Sequence, residues 1–171
     1  MNRILSVILN RLIGKNKIVN LILDSFEQKA RIFASAGYLV ETGWWKSFEK
    51  KQPLDHEGQP VPWITYGAIE FLKERLDKSM SIFEFGAGNS SLYYAKKVNK
   101  VVSVEHHNDW FNYIKGKMPG NVEIFHKNID SVEYPQFLKQ REDKFDVIIV
   151  DGRERVQCIL NSINNLSNRG V

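Results

Sequence analysis

The sequence predicts an α/β protein built on a parallel sheet, and three stretches carry that expectation. Ser81 to Glu105 reads as strand, glycine turn, helix, strand and a terminal acid. Phe145 to Val150 is a β-branched run with no polar alternation, the pattern of a strand buried on both faces. Between them Val122 to Phe125 supplies a third short strand. Strands separated by helix-length segments point to a doubly wound, Rossmann-like sheet.

Bulk properties narrow the class. The 171 residues suffice for one domain with a sizeable core. Hydrophobic content of 43% and charged content of 26% are ordinary for a globular protein. The single cysteine, Cys158, excludes an internal disulfide and fits a reducing, cytoplasmic setting; it is read as a buried structural thiol. Net charge of +4 and pI near 9.1 are mild and spread out, so no nucleic-acid partner is expected. No apolar run approaches the ~18 residues of a membrane span. Asn10, Arg11 and Lys15 interrupt the start, which lacks a signal-peptide pattern.

Ile4, Leu5, Ile8, Leu9 and Leu12 recur at helical spacing near the start, beside Arg3, Arg11, Lys15 and Lys17. Residues 1–20 are read as a helix packed on the domain or on a partner. A helix lying peripherally on an anionic membrane is the alternative. A second helical pattern begins with Ile18 to Phe26, continues from Gln28 toward Val40 and is expected to hold until Gly37. Trp44, Trp45 and Phe48 form an aromatic cluster, and residues 53–62, with three of the five prolines, read as loop. With Trp63, these tryptophans are either the walls of a substrate lid or the anchors of an irregular segment. Ile69, Leu72 and Leu76 then mark one face of a helix.

The glycine turn carries the chemistry. Gly86 and Gly88, between a strand end and a helix start, let a ligand approach the backbone. Asn89 or Ser90 can cap the helix, whose first N–H groups are free for a ligand. Glu105, about 20 residues beyond the first glycine, stands at the tip of the next strand and can accept two hydrogen bonds from a ribose diol. These residues suit a nucleoside-containing cofactor. A dinucleotide fingerprint places its third glycine where this chain has Ser91.

Farther on, Asn108 or Asp109 can cap a helix bearing Trp110, Phe111, Tyr113 and Ile114. His106 and His107 are adjacent and do not face one another on a helix or strand, so no metal pair is expected. Residues 135–140 read as a short helix. Residues 154–166 read as a longer one with Val156, Ile159, Leu160 and Ile163 turned inward. Glu84, Gly86, Glu105 and Asp151 fall at the carboxyl ends of strands, where α/β sheets bind ligands, and should converge on one edge.

The string Glu84-Phe85-Gly86-Ala87-Gly88-Asn89-Ser90 resembles motif I of class I S-adenosylmethionine-dependent methyltransferases, E/D-x-G-x-G-x-G, with Ser90 in place of the last glycine. The runs PWITYGAIEFL, FEFGAGNSS and VVSVEH look like a bacterial group of these enzymes. The resemblance implies S-adenosyl-L-methionine as cofactor and a small-molecule or glycan-like acceptor. It implies that Glu84, Gly86, Ala87, Gly88, Asn89 and Ser90 form the cofactor turn. Glu84 would order that turn or lie near the cofactor's amino group, and Glu105 would hold the ribose. His106 would flank the adenine, with a surface position as the alternative. Asp130 would meet the adenine amino group, with a turn-capping role as the alternative. Tyr66, after Thr65, would reach the methionine end, with a packed side chain beside a helix cap as the alternative. Asp151 is the candidate catalytic residue: contact with the cofactor ammonium, general base, or metal ligand, in that order. The metal reading needs further ligands, so no metal is expected.

The same resemblance implies strand order 3-2-1-4-5-7-6. The sequence offers four strands, with Gly170-Val171 as the start of a fifth. Residues 1–61 are therefore expected to be a helical and loop extension, and 62–171 the cofactor-binding half of a C-terminally truncated methyltransferase domain. Two other readings stand beside this one. One is an NAD-dependent oxidoreductase, favoured by Glu105 and opposed by Ser91. The other is a truncated, non-catalytic fragment that binds a nucleoside cofactor.

Overall fold

The computed structural model describes residues 36–171. The amphipathic segment 1–20 and most of the helical pattern from Gln28 lie outside the described residues. The chain divides after Gly58 into two compact units.

In the first unit, α1 (Tyr38–Glu41) and α2 (Trp44–Lys50) are joined through Gly43. Gly43 has φ 81°, and a Cβ there would lie 2.2 Å from the backbone carbon of Asp55. The close crossing of two backbones fixes a glycine at this point. The Ser47 hydroxyl locks the crossing, accepting from the Leu54 N–H at 2.9 Å and lying 2.9 Å from the Leu54 carbonyl oxygen. The aromatic cluster falls on α2, where Trp44 stacks on Phe48 at 5.3 Å.

The second unit begins with α3 (Tyr66–Arg75) and then alternates strand and helix: β1 (Ser81–Phe85), α4 (Asn89–Lys97), β2 (Lys100–Glu105), α5 (Asn108–Lys115) and β3 (Val122–His126). β4 (Val147–Val150) and α6 (Arg155–Ser162) close it. All pairings are parallel and the order is β3-β2-β1-β4. This is the doubly wound, Rossmann-like sheet that the sequence predicts, and the order reverses between β1 and β4.

Side chains alternate across the sheet, as the pleat requires. Ile82, Val101 and Val147 pack with Ile69, Leu76, Tyr94 and Val98. Phe83, Phe85, Val102 and Val104 pack with Tyr134, Leu138, Phe145 and Cys158 in the second layer. The period of two puts Glu84 and Ser103 on the first face, beneath α4. Cys158 is fully buried, and burial pushes its thiol up to about 12. That is the inert structural thiol expected from the sequence.

Three elements differ from expectation. Residues 135–140 form only a 3-10 turn at Leu138–Gln140. β4 begins at Val147 because Asp146 is diverted, its carboxylate accepting the Ser81 N–H at 2.9 Å. The third difference is the orientation of α6. Val156, Ile159, Leu160 and Ile163 are 68, 48, 62 and 54% exposed, not turned inward. The small side chains of Cys158 and Ser162, one turn apart, are the buried ones, and they let the helix approach the sheet on that side. At the outer edge of β4, Ile148 donates to Val171 at 2.8 Å and Val171 to Asp146 at 3.0 Å. Val171 thus joins the edge as an added strand would. No helix among the described residues is long and apolar enough to cross a membrane.

Candidate functional site

The turn after β1 is built by backbone geometry. Gly86 has φ 98°, a conformation that side chains rarely adopt, and its N–H donates to Val104 O at 2.8 Å. Gly88 precedes α4 in extended conformation. The helix is capped by neither Asn89 nor Ser90. The Ser91 hydroxyl does it, accepting the Gly88 N–H at 3.1 Å from inside the first turn. Trp110 on α5 covers the turn from outside, donating its indole N–H to Ala87 O at 2.6 Å.

Glu105 is only 4% exposed and both its oxygens are held by backbone donors. Oε2 accepts the Ala87 N–H at 3.1 Å, and Oε1 accepts those of His106 at 2.8 Å and His107 at 2.7 Å. A carboxylate has about four acceptor positions, so one remains for a ligand. The acid therefore ties the end of β2 to the glycine turn of β1.

Glu84 is 2% exposed and lies under α4. Its Oε2 accepts from Ser91 at 2.5 Å and from Ser103 at 3.2 Å. Burial raises its carboxyl to about 7, against the lowering effect of the Ser90, Ser91 and Ser103 hydroxyls; the charge of Asp151 adds to the rise. An acid easier to ionise unfolded than folded makes stability fall with pH. Its contribution is whole below about 4.5 and lost as pH rises through about 7. We expect Glu84→Gln to flatten this decline and to exceed the wild type in melting temperature above pH 7. Parallel melting curves for the two proteins across that range would refute the assignment.

One cavity of about 180 Å³ joins these parts, lined by Glu84, Phe85, Gly86, Ala87, Ser90, Glu105, His106, Asp151 and Gly152. It sits at the carboxyl ends of β1, β2 and β4, at the reversal of strand order. The Asp151 side chain is half exposed at its rim, and Arg155 donates to its Oδ1 at 2.9 Å. The His106 ring lies edge-on to Tyr134 at 5.4 Å. Its Nδ1 is 3.1 Å from Glu105 Oε1, but without hydrogen-bond geometry.

Of the residues singled out in the sequence, Glu84, Gly86, Ala87, Ser90, Glu105, His106 and Asp151 line the cavity. Gly88 and Asn89 lie just beyond it in the turn and at the first position of α4. Asp130 is exposed in a turn closed by Asn128, whose Oδ1 accepts the Asp130 N–H at 2.9 Å; the turn-capping side chain is Asn128's. Tyr66 is half-buried and packs against the core, while Thr65 caps α3 by accepting the Ala68 N–H. No group of metal-binding side chains occurs among the described residues.

The parts that Ser91, Ser103, Trp110 and Gly152 play at the site escaped the sequence reading. Ser103 left a signal, since a serine inside Val-Val-Ser-Val must find a buried partner. Trp110 left none, because its contact with Ala87 reaches back 23 positions, over a whole helix and strand.

No family model and no curated protein matches the sequence. Solved structures do match. A methyltransferase-like protein from Silicibacter pomeroyi DSS-3 is similar over 61% of this chain and 67% of its own, at 24% identity and TM-score 0.51. A precorrin-6y C5,15-methyltransferase from Geobacter metallireducens GS-15 shares 17% identity at TM-score 0.49, over 60% of this chain and 57% of its own. The YcgJ protein from Bacillus subtilis shares 15% identity at TM-score 0.45, over 60% and 46%. The first of these likenesses is a likeness of fold.

Proposed function

We propose that this chain, whose fold is that of class I S-adenosylmethionine-dependent methyltransferases, binds S-adenosyl-L-methionine and transfers its methyl group to a small-molecule or glycan-like acceptor. The observation that carries the reading is the convergence of the Gly86–Gly88 turn, Glu105 and Asp151 on one cavity at the switch point of the sheet.

The residues fit the cofactor. Gly86 presents bare backbone, Glu105 keeps an acceptor position for a ribose hydroxyl, and Glu84 and Asp151 supply two acids near one another for a cationic amino acid end. The cavity is smaller than the ~300–1,000 Å³ of pockets that enclose a whole ligand. It suits the middle of the cofactor rather than its full length. S-adenosyl-L-methionine supplies a methyl group already activated by the sulfonium. What remains for the chain is to hold the acceptor in line and exclude water. Asp151, half exposed at the rim with one oxygen held by Arg155, is placed for contact with the ammonium group, or for taking a proton from an oxygen or nitrogen acceptor. The single, buried cysteine fits a reducing compartment such as the cytoplasm.

Calorimetric titration with S-adenosylhomocysteine and separately with NAD tests the reading. We expect saturable binding of the first and none of the second. Binding of NAD alone would assign the site to an oxidoreductase. Binding of neither to the folded chain would remove the cofactor reading.

A further inference from the structure

Glu84 and Glu105 are both buried acids lining the cavity, but Glu105 is held by three backbone N–H groups, whereas the donors to Glu84 are hydroxyls. Two hydroxyls converge on the Oε2 of Glu84, and the Ser90 hydroxyl also lowers the carboxyl's pKa. Ser91 comes from the first turn of α4 and Ser103 from the middle of β2, and the two oxygens are 3.4 Å apart. The acceptor side of Ser91 is occupied by the Gly88 N–H, so its own hydrogen is directed at Glu84. Ser103 stands opposite Glu84 in the β1–β2 register.

The charged and titratable groups around this carboxyl offer it no counterion. Asp151 closes the β4 side and Glu105 the β2 side. The phenols of Tyr94 on α4 and Tyr134 beyond β3 are within its electrostatic reach. His106 lines the same cavity, and Arg155 is paired with Asp151. Among the described residues, no lysine or arginine forms an ion pair with Glu84.

We propose that burial without a counterion keeps Glu84 a neutral acid in the ligand-free cavity, and that Ser91 and Ser103 are positioning residues whose donated hydrogen bonds let it release its proton to solvent when a cationic group of the ligand arrives. The identity of that cation, the ammonium of the cofactor, rests on the proposed function. The step is one proton moving from the Glu84 carboxyl to water, leaving a carboxylate; no other bond changes. Burial without a counterion favours the neutral form, and each donating hydroxyl favours the ionised one. Together they set the ionisation within the neutral range, consistent with the raised carboxyl described above. Removing a serine removes a donor and makes the proton harder to lose.

Two readouts test this. The first is the pH titration of the Glu84 side-chain carbon by NMR in the ligand-free chain. We expect a midpoint near neutrality, moved upward in Ser91→Ala and in Ser103→Ala. Ser103→Thr, which keeps the hydroxyl on a residue suited to a strand, should restore it. A midpoint in the ordinary carboxylate range, or one indifferent to both serines, overturns the proposal whatever the chain binds. The second readout is proton release on S-adenosylhomocysteine binding, from calorimetry in buffers of different ionisation enthalpy. Affinity should rise about tenfold from pH 6 to pH 8 as the competent ionised fraction grows. Ser103→Ala should bind at least ~3-fold more weakly than wild type at pH 7 and recover at pH 9. A merely structural serine would lower affinity equally at every pH. Tight binding with no proton release overturns the coupling and leaves the cofactor reading intact. Absence of binding beside a neutral-range Glu84 titration overturns the cofactor reading and the coupling with it.

Discussion

Glu105→Ala is expected to cost about 3 kcal/mol of stability and to weaken S-adenosylhomocysteine binding tenfold to a hundredfold. Three backbone N–H groups, of Ala87, His106 and His107, donate to this carboxylate. Each hydrogen bond to a charged group is worth roughly 1.5–3 kcal/mol. Water entering from the cavity replaces part of that loss, which brings the sum down to about 3 kcal/mol. The binding loss follows from the ribose acceptor, since ~1.4 kcal/mol is a factor of ten. Glu105→Gln separates the two roles. Its amide keeps one acceptor oxygen but turns an NH₂ toward a backbone donor, so it should fall between wild type and alanine in stability. Chemical denaturation and calorimetry measure both effects. An unchanged denaturation midpoint in Glu105→Ala would show that the carboxylate does not tie the two strand ends together.

Gly152→Ala should destabilise the chain by roughly 1–3 kcal/mol, the range for overpacking a filled interior. A Cβ at this position would lie 2.0 Å from the Tyr134 hydroxyl oxygen and 3.1 Å from Phe85 O. Tyr134 is fully buried and packs its ring against Phe85 at 5.6 Å, so it has no room to retreat. The clash concerns the phenolic oxygen, and Tyr134→Phe should relieve it. In that background the alanine meets only the ring carbon at 3.2 Å and Phe85 O, and much of its cost should vanish. A double-mutant cycle reads the coupling directly. Equal costs in both backgrounds would place the constraint on Gly152 elsewhere.

The parallel sheet was legible because its strands are short, mostly apolar runs and each is followed by a turn or an acid. The reversal between β1 and β4 was legible through the motif that resembles methyltransferases. Seven of the residues singled out converge on the cavity, since Gly86, Glu105 and Asp151 all fall at strand ends, where a parallel sheet gathers them. The inward face of α6 was not legible. Val156, Ile159, Leu160 and Ile163 make a convincing apolar stripe, but the helix presents its small residues, Cys158 and Ser162, to the sheet. Periodicity reports that a stripe exists and not which neighbour it meets. The Ser91–Glu84–Ser103 set was hidden for another reason. Its members are seven and nineteen positions apart, and only the β1–β2 register brings Ser103 opposite Glu84. Asp130 lies outside the cavity lining, in a turn closed by Asn128, and a polar residue near the end of the third strand fits a cofactor contact and a turn equally well.

Glu105 and the Gly86–Gly88 turn are proposed to receive the ribose of a nucleoside cofactor. A crystal structure of the chain with S-adenosylhomocysteine tests it most directly. A ribose hydroxyl should lie within hydrogen-bond distance of Glu105, with the ligand against Gly86 and its amino group on the side of Glu84 and Asp151. A ligand bound away from the carboxyl ends of β1 and β2, or a ribose turned from Glu105, would contradict it.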